Sequence, residues 1–108
     1  MKLLSTELIA RFAVVGCQDG IQNPLVIARF FNPCGTAVWY ATEYIPEQNI
    51  CFGYVTGLVP GGDEWGYFSI HELEELICPP FDLPIERDIS FTETYFSNLN
   101  LKKHAHKR

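Results

Sequence analysis

Near the start of the chain, Leu8, Ile9 and Phe12 fall at helical spacing. Ser5 or Thr6 can cap such a helix, and Glu7 suits its positive end. "CQDGIQNP" then reads as a loop, and the pattern changes to short apolar, β-branched and aromatic blocks divided by turn formers. "LVIARFF" (25–31) is apolar except for Arg29 and predicts a buried strand. "NPCG" turns the chain, because Pro33 presets φ and Gly35 tolerates a positive one. "TAVWYATEYI" (36–45) predicts the returning strand and "ICFGYVTGLV" (50–59) a third. Gly53 and Gly57 on one side of that pleat leave room for a bulky neighbour or a bulge. "WGYF" (65–68) predicts a short fourth strand, and the short connections predict an antiparallel meander.

A second helix is signalled in detail. Ser69 and Glu72 form a capping box, and Phe68 stands where it can staple onto Leu73. Ile70, Leu73, Leu76 and Ile77 share one helical face, and Pro79-Pro80 ends the helix. "LPIERDISF" (83–91) predicts a last strand with Ile85, Arg87, Ile89 and Phe91 on one side and Glu86 and Asp88 on the other. A charge at Arg87 on the apolar side needs a carboxylate partner, expected to be Glu43 or Glu64, and Arg29 poses the same problem. The fold expected is α+β: a single antiparallel sheet of about four to five strands with two short helices. It forms one domain over residues 1–100, with a basic tail over 101–108. At 108 residues, 47% of them hydrophobic, the chain is long enough for one core.

Charge changes the picture. Residues 1–100 hold all 13 acids against Lys2, Arg11, Arg29 and Arg87, a formal −9. Residues 63–93 hold nine acids and only Arg87, a formal −8. Such a body argues against direct binding to nucleic-acid phosphates and permits a basic partner. The opening residues lack the form of a signal peptide, since Glu7 interrupts the apolar run, and no stretch approaches the roughly 20 apolar residues of a membrane span. A cytoplasmic location is therefore expected, with Cys17, Cys34, Cys51 and Cys78 as reduced thiols in or near the core.

"GDEWGYFSIHELEEL" (62–76) has five carboxylates and no Lys or Arg. It lacks the ligand spacing of a calcium loop or a zinc helix, so no metal or cofactor is expected. General acid work needs a desolvated carboxylate, whereas the helix register turns Glu72 and Glu75 to water. Two readings of these acids are left: a solvated helix face, or a surface for a basic partner. Glu74 and Glu75 keep the second in play, because they stand at the helix end that favours cations. The candidate partner-binding residues are Asp63, Glu64, Glu72, Glu75, Glu86 and Asp88. Asp19 and Glu47 stand apart from this set. His71 reads as a surface histidine. Trp39, Tyr40, Phe52, Tyr54, Trp65, Tyr67 and Phe68 read first as core and sheet residues, with a stacking platform as the alternative.

The strings "KLLSTELIARF", "ARFFNP", "WYATE", "FGYVTGLV", "DEWGYFSIHELEEL" and "LPIERDISF" resemble, in order and spacing, a family of small proteins known only as a domain of unknown function. The resemblance covers roughly residues 1–92 and departs at Pro60-Gly61-Gly62 and in the basic C-terminal end. It implies no catalytic residue, activity or cofactor. It implies a setting in plasmids, phages and integrated elements of bacteria, whose accessory genes often encode inhibitors of host defence. The leading expectation is thus a non-enzymatic, acidic inhibitor. Its carboxylates would stand in for phosphates on a basic nucleic-acid-handling surface, such as that of a CRISPR or restriction complex. One alternative is a small enzyme or ligand binder with a pocket among the sheet aromatics and Arg29 or Arg87. Another is a structural or accessory module.

Overall fold

The computed structural model describes residues 2–101; the basic tail expected over 101–108 lies, apart from Leu101, outside the described residues. Helix α1 (Thr6–Val15) leads to β1 (Leu25–Val26), β2 (Ala28–Phe31), β3 (Val38–Ile45), β4 (Ile50–Thr56) and β5 (Glu64–Ser69). Helix α2 (Ile70–Glu75) follows, then four two-residue strands: β6 (Ile77–Cys78), β7 (Leu83–Pro84), β8 (Glu86–Arg87) and β9 (Thr94–Tyr95). A single turn of 3-10 helix (Phe96–Leu99) comes last. The fold is α+β with two helices, and its main antiparallel sheet has five strands in the order β5-β4-β3-β2-β8. The main sheet agrees with the four to five strands expected, and two small pairs, β1-β9 and β6-β7, stand beside it. Among the described residues no helix is long and apolar enough to cross a membrane.

Both helices are capped as the sequence predicts. The Ser5 hydroxyl accepts from Leu8 N at 3.1 Å, and the Ser69 hydroxyl accepts from Glu72 N at 3.1 Å. Each satisfies a first-turn N–H that has no partner within its helix. Ser69→Ala is expected to cost about 1 kcal/mol. An unchanged urea midpoint would show that the cap contributes nothing.

The helices cover one face of the sheet. Phe12 of α1 and Ile70 and Leu73 of α2 pack with Ala28, Phe30, Trp39, Ala41 and Cys51, and Leu3, Leu4 and Ile85 complete that core. The opposite face carries Tyr40 and Tyr54, closed by Val26 together with Phe91, Phe96, Leu99 and Leu101. The chain thus remains packed through Leu101. Trp65 joins this second core, stacked on Phe52 at 6.1 Å and tilted against Phe96 at 4.8 Å.

Several boundaries differ from the sequence expectation. The strand over 25–31 is two strands: Ile27 gives its N–H to Ala41 O while β1 turns away to pair with β9. Helix α2 ends at Glu75, short of Pro79, with Leu76 extended at its C-cap. A residue before proline is driven out of the α region, so Cys78 must be extended. Pairing of Ile77 and Cys78 with Pro84 and Leu83 then takes the segment out of the helix. Of the four residues placed on one helical face, Ile70 and Leu73 are buried, whereas Leu76 and Ile77 are exposed. The strand over 83–91 is also broken. Ile85 is buried, but Asp88 accepts from Ser90 N and Phe91 N and bends the chain there. Alternation ends at that bend, which leaves Ile89 80% exposed.

Candidate partner-binding surface

Each arginine of the described residues has an internal role. Arg11 on α1 makes a two-pronged contact with Glu93, with a shortest N–O distance of 2.6 Å. That contact holds the Glu93 carboxyl below its usual range and the guanidinium above its own. Arg29 of β2 donates to Asp88 Oδ2 at 3.0 Å and stacks over the Phe31 and Tyr40 rings at 5.4 and 5.8 Å. Arg87 of β8 donates to the carbonyls of Lys2 and Leu3. Neither acid expected opposite Arg87 can reach it. Glu64 lies on the other edge strand, four strand spacings or roughly 19 Å away. Glu43 is two strands over and near the far end of β3, beyond Ala41, where its carboxylate accepts from Gln18 N at 3.0 Å. Backbone carbonyls serve Arg87 instead, and Arg29 takes the carboxylate.

The six candidate acids divide by these roles. Asp63 accepts from Gly57 N at 3.0 Å and closes the β4–β5 connection. Asp88 pairs with Arg29 and accepts from Ser90 N, so it is a structural residue of the edge strand. Glu86 is half-buried opposite Phe31 on the aromatic face. Glu64 is exposed at the start of β5, while Glu72 and Glu75 are exposed on α2, which packs on the other face. The fold therefore brings Glu86 and Asp88 together on one face and Glu72 and Glu75 together on the other. Glu75 lies 3.4 Å from His71, and both side chains are exposed. The puzzling acid at the helix end, Glu74, accepts from Leu3 N at 2.9 Å and fastens the N-terminal segment to α2.

Besides a recess of about 290 Å3 lined by Trp39, Trp65, Tyr67, Phe68 and Glu64, three recesses are relevant to the alternative of a ligand site. The first, about 390 Å3, lies on the aromatic face and is lined by Cys17, Asp19, Glu43, Ile45, Phe52 and Tyr67. A neighbour of about 290 Å3 shares Cys17, Glu43 and Ile45 and extends to Phe12 and Glu47. Asp19 and Glu47, set apart on sequence grounds, thus stand on two adjoining recesses, one each. A third recess, about 250 Å3, lies beside Arg87 and Asp88 with Leu8, Ile27 and Phe91. Sequence reasoning missed the groove because it forms only when the loop after α1 folds back on β3 and β4. Gln18 does that folding: its side-chain amide donates to Leu25 O and Thr42 O, each at 2.8 Å, and accepts from Leu25 N at 2.7 Å.

The thiols divide as well. Cys51 and Cys78 are buried, and burial pushes both up from the ordinary thiol range. Cys34 is half-buried, and Cys17 is exposed, against the expectation of a thiol near the core. Among the described residues no group of three or more His, Cys, Asp and Glu is placed to hold a metal ion.

No curated protein and no solved structure matches the chain. The match that does exist spans residues 3–106, nearly the whole sequence, and by it the chain belongs to the family described as "Protein of unknown function (DUF2958)".

Proposed function

We propose that this chain is a non-enzymatic interaction protein that binds a basic protein surface. The observation that carries the reading is the asymmetry of neutralisation. Arg11, Arg29 and Arg87 are all engaged by groups of the fold itself, whereas Glu64, Glu72 and Glu75 lie exposed to solvent. The arginines are thus matched within the fold, Arg11 at the surface and Arg29 and Arg87 partly buried, while these exposed carboxylates leave a negative field at the surface. Such a field steers a basic partner and repels nucleic acid. Surfaces built to hold phosphates are the partner class it complements, with carboxylates in the phosphate positions. An inhibitor of a host nucleic-acid-targeting complex, of the CRISPR or restriction type, is the most specific form of the proposal.

The test is affinity capture on the full chain from host cells, eluted with rising salt. Exposed charges are screened beyond about 8–10 Å at physiological ionic strength, so a basic partner should leave steeply between about 0.1 and 0.5 M salt. Glu64→Lys, Glu72→Lys and Glu75→Lys combined should reduce capture at least about tenfold at low salt while the circular dichroism spectrum stays that of the parent. Retention of the partner by the folded triple variant would overturn the reading.

One observation favours a second reading. The groove on the aromatic face combines carboxylates with an exposed Tyr67, a combination suited to a cationic amine. A rise in melting temperature with a polyamine, lost in Tyr67→Ala, would support that reading. It would leave salt-sensitive capture of a protein unexplained.

A further inference from the structure

Among the described residues, four exposed apolar side chains follow closely on α2. Phe81 is 75% exposed, Ile77 61%, Leu76 45% and Leu83 38%. Leu76 is the C-cap of α2, and the other three sit on the small hairpin after it, in which β6 and β7 pair through Ile77↔Pro84 and Cys78↔Leu83, so Leu83 shares the side of Cys78 and Ile77 faces the other way. Cys78 points inward and is buried, which anchors the hairpin to the body. Its tip, residues 79–82, holds Phe81 beside Asp82, whose φ of 56° is tolerated by a short polar side chain. A loop tip is ordinarily polar, and an exposed phenylalanine there, with Ile77 exposed on the strand that leads to it, gains nothing for the isolated fold. Glu72 and Glu75 on α2, which leads into the hairpin, and Asp82 at its tip are all exposed, and the sequence has no Lys or Arg from 72 to 86.

An apolar centre with an aromatic anchor and a charged rim is the anatomy of a protein interface. The sign of the rim selects the occupant. A second copy docked hairpin to hairpin would bring acid against acid, and an anionic membrane surface would be repelled in the same way. A protein surface with an apolar cleft edged by Lys and Arg is complementary in both respects. We infer that the hairpin over residues 77–84 is the element by which this protein docks, with Phe81 and Ile77 seated in such a cleft and Glu72, Glu75 and Asp82 facing its basic edge. The inference rests on the reading of a basic partner and adds the place of contact.

Photo-crosslinking in host cells tests it. The full chain carries the photoreactive residue benzoylphenylalanine at position 81 or, as a control, at Val14 on α1, which is equally exposed at 75%. The expected result is an adduct from position 81 alone, mapped by mass spectrometry to a segment of the partner with Lys or Arg flanking apolar residues. Adding Glu72→Lys and Glu75→Lys should reduce that adduct at least about tenfold. Phe81→Ser should weaken capture at every salt concentration and leave the salt slope unchanged, because it removes apolar area and no charge. An adduct to a second copy of the chain would overturn the inference. So would an adduct from Val14 without one from position 81, or none from either position, while salt-sensitive capture of a basic partner persists. In those cases only the placement fails. If salt-sensitive capture itself is absent, the reading of a basic partner falls, and the docking site falls with it.

Discussion

Gly53→Ala should unfold much of the sheet, while Gly66→Ala, on the next strand of the same rung, should be almost neutral. The two glycines are direct cross-strand partners. A Cβ on Gly53 would lie 1.8 Å from Tyr40 O and 3.0 Å from Ala41 Cα, both backbone atoms of β3. No rotamer relieves such a clash; β3 and β4 must separate. A Cβ on Gly66 meets nothing within 4 Å. The reason for the close approach is the irregularity beside it. Ala41↔Gly53 is the last regular pair before the register shifts and Glu43 falls opposite Phe52, so Thr42 is the extra residue of a bulge. The expected cost at Gly53 is about 3 kcal/mol or more, against a total stability of roughly 5–15 kcal/mol for a domain of this size. Gly66→Ala should stay within about 0.5 kcal/mol of the parent. Urea denaturation followed by tryptophan fluorescence measures both. Equal midpoints for the two variants would show that the strands do not approach as closely as described.

These glycines mark how far the sequence could be read. Glycine within "ICFGYVTGLV" signals room for a bulky neighbour or a bulge; at Gly53 a bulge stands on the facing strand β3, but the neighbour is backbone rather than a bulky side chain. The helix caps at Ser5 and Ser69 were legible because a cap depends on residues two or three positions apart. The β2–β3 and β3–β4 hairpins were legible for the same reason. What failed was whatever depends on distant partners. Glu74 and Leu3, 71 residues apart, and Arg29 and Asp88, 59 apart, give no sign of each other in the sequence. Alternation across 83–91 assumed that a strand continues, yet the Asp88 side chain accepting from Ser90 N ends it. The candidate acids show the same division. Their number and sign were plain, but which were already committed could be seen only in three dimensions. Asp63 and Asp88 hold backbone and an arginine, while Glu64, Glu72 and Glu75 remain exposed. Phe81 belonged to no periodic pattern and passed without notice.

Gln18→Ala should be the most destabilising change among the polar residues of the loops, at about 3 kcal/mol. Nothing in "CQDGIQNP" distinguishes Gln18 from Gln22, yet Gln18 is 6% exposed and Gln22 is exposed. The extra residue of the β3 bulge, Thr42, is fully buried, and its side chain donates to Phe52 O. Its carbonyl accepts from the Gln18 side-chain nitrogen. The same amide holds both the N–H and the carbonyl of Leu25 at the start of β1. Alanine would leave three backbone groups to find other partners, one of them in a buried site, and each such loss costs about 1–3 kcal/mol. Gln18→Glu separates hydrogen bonding from packing. It keeps the length and the acceptor, but it turns a carboxylate oxygen toward two carbonyls and adds charge beside Glu43. It should therefore cost at least as much as alanine. Faster exchange of the Leu25 amide hydrogen should accompany both variants. The groove on the aromatic face should loosen with them, because Cys17 and Asp19 flank Gln18 and form its wall. The hairpin over residues 77–84 has its own anchor in Cys78, so crosslinking from position 81 should continue in the folded fraction of either variant. A Gln18→Glu protein as stable as the parent would show that the amide donors are not what holds the loop to the sheet.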